Sequence, residues 1–257
     1  MTVPRSPRPT RDQAPHQARN ICGSLLRESG FVFGALHAGQ TLPAVREAAL
    51  SGTLFRQRSY QARRRFWHAV HGRYLTSSPE WIIAELVDVV GSAPASPDAL
   101  GLLYIHFVIR DRLTLDIVKG PLWSAWSSGR LAVDQSLLRM WMDGVAPEFY
   151  GRLTEGTQRK LATSILTGLR DFGVLQGLQK KAIVRPVVTP RVFAHLLRIL
   201  ADEGQRGSAI VDDPTWRILL LSRDEVVGHL AALAQQKVIR FERAGSTVVL
   251  ELPWGTP

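Results

Sequence analysis

Few side chains in this sequence are of a type that could carry out a reaction, and their spacing assembles no reactive set. His68 and His71 stand three apart and so share a helix face, but no third ligand or carboxylate lies near them for a metal. Cys22 is the single cysteine, so no intrachain disulfide can form and a reducing, cytoplasmic setting is expected. There is no Gly-rich phosphate loop, no dinucleotide fingerprint after a strand, and no Cys/His zinc spacing. All but five of the 32 Lys and Arg are Arg, which stays protonated and cannot act as a general base near neutral pH. The expectation is a protein that is not an enzyme, with no cofactor and no metal. Arginine instead grips phosphates and carboxylates through a planar fork of donors. A formal charge of +10 and a pI of about 10.6 point the same way, towards an anionic partner.

That charge is unevenly placed. No acid occurs between Ser51 and Pro79, a stretch that holds Arg56, Arg58, Arg63, Arg64, Arg65 and Arg73. Ser59 is a good N-cap. Ala62, Phe66, Val70 and Tyr74 recur every fourth residue with Trp67 beside them, which predicts an amphipathic helix over Ser59 to Leu75. At about 100° per residue, Gln61, Arg64, Arg65, His68 and His71 fall on the opposite face, while Arg63 lies nearer the apolar side and is expected to brace the helix. A second basic region follows Tyr150: up to Arg198 it holds nine Lys or Arg against Glu155 and Asp171. Within it Thr157 to Phe172 reads as a helix with Leu161, Ile165, Leu169 and Phe172 inward. Lys160, Thr163, Ser164 and Thr167 face outward, with Arg159 and Arg170 at the flanks. A solvated surface looks much the same, so both readings stand at this point.

The elements around these helices predict a mainly α, helical globular protein. Two helix-turn-helix units and a small β-hairpin wing near the C-terminus are expected. Residues 1–20, with four Pro and four Arg in Thr2 to Arg19, read as a disordered basic arm. Residues 21–90 form an N-terminal unit: a helix from Ile21 to His37, a second capped by Thr41 with Pro43 in its first turn, then the basic helix. Residues 91–150 form a central core. There Ala99 to Val118 is one long helix, apolar all round in its first half, and Gly120-Pro121 breaks the chain. A helix from Val133 to Met142 is capped by Asp134, and Trp123, Trp126, Trp141 and Phe149 are expected to pack together. Residues 151–200 form a second, winged unit, with Lys180 and Lys181 in the wing. Residues 201–257 hold a helix capped by Ser222 and a hairpin about Ala244-Gly245, a winged-helix-like ending. No apolar run approaches the roughly 20 residues needed to span a bilayer, so no membrane role is expected.

Four stretches together resemble the BrxA family of bacteriophage-exclusion (BREX) defence systems. They are Arg58 to Arg65 with Arg73-Tyr74-Leu75, then Phe107 to Leu113, Thr157 to Leu161, and Leu169 to Leu175. The resemblance covers roughly Ile21 to Leu200. It implies a mostly helical, non-catalytic accessory protein of phage defence that binds double-stranded DNA, with some likeness to the RNA-binding NusB fold. Its recognition helices would be Ser59 to Leu75 and Thr157 to Phe172. Arg56, Arg58, Arg64, Arg65 and Arg73 would then grip phosphate, and Gln61 and His68 would reach base edges. In the second unit the candidates are Arg159, Lys160, Thr163, Thr167, Lys180 and Lys181. A monomer is expected. Other BREX components, docked on the acidic and aromatic C-terminal part, or a structured RNA are the alternative partners.

Overall fold

The computed structural model describes residues 20, 22–56, 59–76, 79–149, 153–178, 180–245 and 247–254. The basic arm before Asn20 lies outside them. Helix α1 (Leu26–His37) begins at Leu26 rather than at Ile21. The backbone before it is held out of helical geometry, with positive φ at Gly23 and Leu25 and with Asn20, Gly23 and Ser24 bonded to distant residues. Helix α2 (Leu42–Ser51) is capped by Thr41, whose hydroxyl accepts from the Ala44 amide. Helix α3 (Tyr60–Val70) is capped by Ser59, and a π turn over His71–Leu75 carries the helical path to the predicted end. Helix α4 (Glu80–Ser92) lies hard against α1. A Cβ on Gly91 would sit 2.8 Å from the Phe33 carbonyl oxygen, a contact with backbone that cannot yield cheaply.

Helix α5 (Pro97–Ile109) is buried at every position from Gly101 to Ile109, as its unbroken apolar sequence predicts. It does not run on to Val118. Asp111 ends it, because one carboxylate oxygen accepts from the Thr114 amide (2.7 Å) and hydroxyl (2.6 Å) and so caps a new helix, α6 (Arg112–Ile117). The expected break at Gly120-Pro121 is also absent. A π turn over Val118–Leu122 leads straight into α7 (Trp123–Ser127). Its widened turn makes room for the Pro121 ring, which in an α-helix would meet the carbonyl four residues back. Among the described residues no ring contact joins the tryptophans into the expected cluster. Trp123 and Trp126 instead carry Arg217 and Arg185 over their rings (5.7 and 5.5 Å), Trp141 lies beside Gly120, and the Phe149 side chain is outside the described residues.

Strand β1 (Ala132–Val133) precedes α8 (Gln135–Phe149) and α9 (Glu155–Asp171), and β2 (Leu175–Gln176) and β3 (Lys181–Ile183) follow. The strands form an antiparallel sheet in the order β1-β3-β2, pairing Ala132 with Ala182 and Leu175 with Ile183. Val133 is therefore a strand residue rather than the first residue of the predicted helix. Asp134 does cap α8, accepting from the Leu137 amide at 3.0 Å. Helix α10 (Pro190–Asp202) packs on α5, and α11 (Ser208–Val211) and a 3-10 turn (Pro214–Leu219) follow. Helix α12 (Arg223–Gln235) starts with a complete Ser222–Glu225 capping box. Strands β4 (Arg240–Ala244) and β5 (Thr247–Glu251) close the chain as a hairpin. The protein is mainly α with a small hairpin near its C-terminus. No helix among the described residues is long and apolar enough to cross a membrane.

A buried polar relay joins three of these helices. Glu85 of α4 meets His195 Nδ1 of α10 at 2.8 Å, and His195 Nε2 meets His106 Nε2 of α5 at 2.9 Å. Burial holds His106 well below the ordinary imidazole pKa of 6.5, with the neighbouring His195 and Arg110 adding to the effect. Burial also lowers His71 and His229. In the unfolded chain all three take up protons below about pH 6.5. The folded protein resists, so stability falls as the pH drops through that value, for the fully buried His106 by up to about 1.4 kcal/mol per pH unit. In urea unfolding between pH 7.5 and 5.0, the His106→Gln variant is expected to show a shallower loss than the parent, and equal slopes would exclude His106 as a cause. Gly91→Ala is expected to cost about 1–3 kcal/mol by overpacking α1 against α4, read as a lower urea midpoint.

Candidate nucleic-acid interface

The outer face of α3 carries Gln61, Arg64, Arg65 and His68, all exposed. Arg64 and Arg65 have no acidic partner among the described residues. Arg65 lies 5.9 Å from the centre of the Phe66 ring. Arg56 is also exposed, and Arg58 lies outside the described residues. Arg46 of α2 and His68 both act on His71 electrostatically, so α2 adds positive charge to the same end of the unit.

The other two arginines of this stretch point inward. Arg63 Nε donates to the Leu50 carbonyl at 2.8 Å and so ties α3 to the last turn of α2. It is the bracing residue that its position predicts. Arg73 is not on the outer face. It is 3% exposed, donates from Nη1 to the Ser24 carbonyl at 3.1 Å, and lies 5.1 Å over the Phe107 ring. At about 100° per residue it falls on the side of Ala62 and Phe66, so helical periodicity already turns it inward, and the phosphate role comes only with the resemblance. In this position Arg73 braces the core and does not reach an external phosphate.

On α9, Arg159, Lys160 and Thr163 are exposed and Thr167 is half-buried. Arg159 pairs with Glu155 one turn back (3.0 Å), and Arg139 of α8 reaches the same carboxylate at 3.0 Å. Exposed pairs of this kind contribute little to stability, but here they offset the acid at the start of the helix. Thr163 donates to the Arg159 carbonyl and accepts from Gln135 Nε2 at 2.9 Å, which aligns α8 with α9. Lys180 is exposed. Lys181 Nζ closes the turn between β2 and β3 by donating to the Leu178 carbonyl at 2.6 Å.

Two residues that matter to this surface have no signal in the local sequence. Ser164, expected to face outward, donates to the Asn20 carbonyl (2.6 Å) and accepts from the Gly23 amide (2.9 Å). Asn20 is 1% exposed, and its partners are Asp111, Phe107 and Thr114 as well as Ser164. The segment from Asn20 to Ser24 therefore runs beside α9. It also meets the predicted Ser59 to Leu75 helix, where Arg73 donates to the Ser24 carbonyl. The two candidate helices thus border one stretch of backbone. Among the described residues no group of three or more His, Cys, Asp and Glu could hold a metal ion.

A family model described as BrxA matches residues 22–199, which includes α3, the three-stranded sheet, α9 and nearly all of α10. No curated protein matches the sequence significantly. Among solved structures, the crystal structure of an uncharacterized protein from Magnetospirillum magneticum is similar, with a TM-score of 0.61 at 16% identity. The similarity covers 80% of this chain and 100% of that one, and it supports the fold alone. The Arg63→Met variant keeps the aliphatic stem but loses the donor to Leu50. It is expected to lower unfolding stability by about 2 kcal/mol, measured by urea titration, because that bond joins a charged donor to a helix carbonyl.

Proposed function

The chain belongs to the BrxA family of BREX phage-defence proteins, and we propose that it serves that defence in the cytoplasm as a non-catalytic, monomeric binder of double-stranded DNA. The observation that carries this reading is the outer face of α3. Two arginines without acidic partners among the described residues, Arg64 and Arg65, stand there with Gln61 and His68, on a helix whose inner face is locked to α2 and to the core. A rigid helix with an uncompensated basic front suits a phosphate backbone, and Gln61 and His68 suit base edges in the major groove. The second unit supports the reading by its topology. A strand, two helices and two further strands in the sheet order β1-β3-β2 are compatible with a winged helix, in which α9 would be the recognition helix and the turn around Lys180 the wing. Lys160, Thr163 and Thr167 would then face the groove, and Lys180 a flanking phosphate.

Binding of this kind releases counterions and weakens steeply with salt. Reversing charge with Arg64→Glu and Arg65→Glu is expected to weaken binding to a short duplex by about ten-fold or more and to flatten the log–log salt slope by about two units. Thermal unfolding of that variant should match the parent. The reading fails if the parent chain binds no duplex at about 50 mM salt in a mobility-shift titration. It also fails if structured RNA outcompetes duplex DNA.

A further inference from the structure

Leu178 is the most exposed large apolar side chain among the described residues, with 75% of its surface in water. Single exposed apolar residues are ordinary on a protein surface. The setting of this one is not. It stands at the turn between β2 and β3, and that turn is held tight. Gln176 pairs with Ala182 just below it. Gly177 has a φ of +101°, and a Cβ there would overlap the Lys180 carbonyl oxygen, so only glycine lets the chain turn this closely. Lys181 Nζ donates to the Leu178 carbonyl at 2.6 Å, which fixes the backbone at the leucine itself. Leu178 is thus an apolar knob on a braced support.

The knob stands on the side that α9 presents. A depression beside the turn is lined by Leu178, Lys181, Leu166 of α9, and Asp134, Gln135 and Ser136 at the start of α8. Gln135 is the residue that donates to Thr163 on the outer face of α9 (2.9 Å). Leu178 and Thr163 therefore flank one side chain. The surroundings are basic: Lys180 is exposed, and no acid occurs between Asp171 and Asp202. Asp134, the acid of the depression, accepts from the Ser136 hydroxyl (2.6 Å) and the Leu137 amide (3.0 Å). A stable protein contact takes roughly 800 Å² from each partner, with lysine depleted at its centre. One leucine among lysines falls far short of that. It matches instead the apolar side chains that enter the minor groove of DNA and part a base step while neighbouring cations hold the backbone.

We propose that Leu178 is such a wedge: the turn enters the minor groove beside the groove addressed by α9, and Leu178 parts a base step and bends the duplex. This deepens the duplex-binding reading given above and rests on it. The kink is expected within the range of about 20–90°. Pyrimidine–purine steps such as TA unstack most readily, so the wedge gives the protein a preference for them without any base-edge contact.

The test uses a short duplex that carries TA steps and is labelled at both ends for energy transfer, titrated with the full chain and its variants over a range of salt. The parent is expected to shorten the end-to-end distance. Leu178→Ser is expected to bind about ten-fold more weakly, to leave the duplex straight and to keep the parent's salt slope, since no phosphate contact is lost. Leu178→Met, still apolar, is expected to keep the bend. Lys180→Ser is expected to bend the duplex but to flatten the slope by about 0.9. Thermal unfolding of all three should match the parent. If the full chain binds the duplex and leaves it straight, or if Leu178→Ser matches its affinity and bend, the wedge is overturned and the reading of α3 and α9 stands. If the full chain binds no duplex, that reading falls and the wedge falls with it.

Discussion

A helix buried on every side forces the rest of the chain to enclose it, and its few polar groups then decide how. That helix is α5. Its apolar residues accept almost any packing of α4, α9 and α10 that excludes water, since burial is non-directional. His106 within it and Asp111 just beyond it do not. A buried polar group without a partner costs about 1–3 kcal/mol, more if charged. His106 is met by His195, which Glu85 holds in turn, and this fixes α10 against α4 and α5. Asp111 divides its two oxygens between the start of α6 and the Asn20 amide, and this fixes the N-terminal segment. The orientation of the surrounding helices follows from these directional bonds more than from the apolar area itself.

The arginines are sorted by the same constraint. Arg73 is tolerated inside because its guanidinium has a carbonyl to donate to and an aromatic face to lie on. Arg63 is spent on the end of α2, where it meets the carbonyl end of a helix dipole. Only the remainder, Arg64 and Arg65 among them, is left to face solvent. A surface that the sequence shows as a block of like charge is thus thinner and more specific in the folded protein. On α9 the same thinning occurs through neutral groups, since Thr163 and Ser164 are engaged by Gln135 and Asn20.

Much of this was legible from sequence because it is local. The caps at Thr41, Ser59, Asp134 and Ser222, the helical content, the C-terminal hairpin and the inward side of Arg63 all follow from neighbours within a few residues. Two misreadings have another cause: the late start of α1 and the outward placement of Ser164 turn on partners about 140 residues away. The end of α5 at Ile109 is local, set by the Asp111 cap on Thr114. A π turn hid one more feature by letting the helix pass Pro121. A strand as short as β1 has too little alternation to be seen at all.

The clasp on Asn20 also orders events while the chain is being made. Asn20 and Ser24 leave the ribosome well before their partners Ser164 and Asp171, which come 144 and 147 residues later. At usual rates of synthesis that gap is on the order of ten seconds. Through that interval α1 to α4 can gather and Asn20 can already reach Asp111, but the tie to α9 cannot close. The clasp is therefore among the last parts of the fold to be completed.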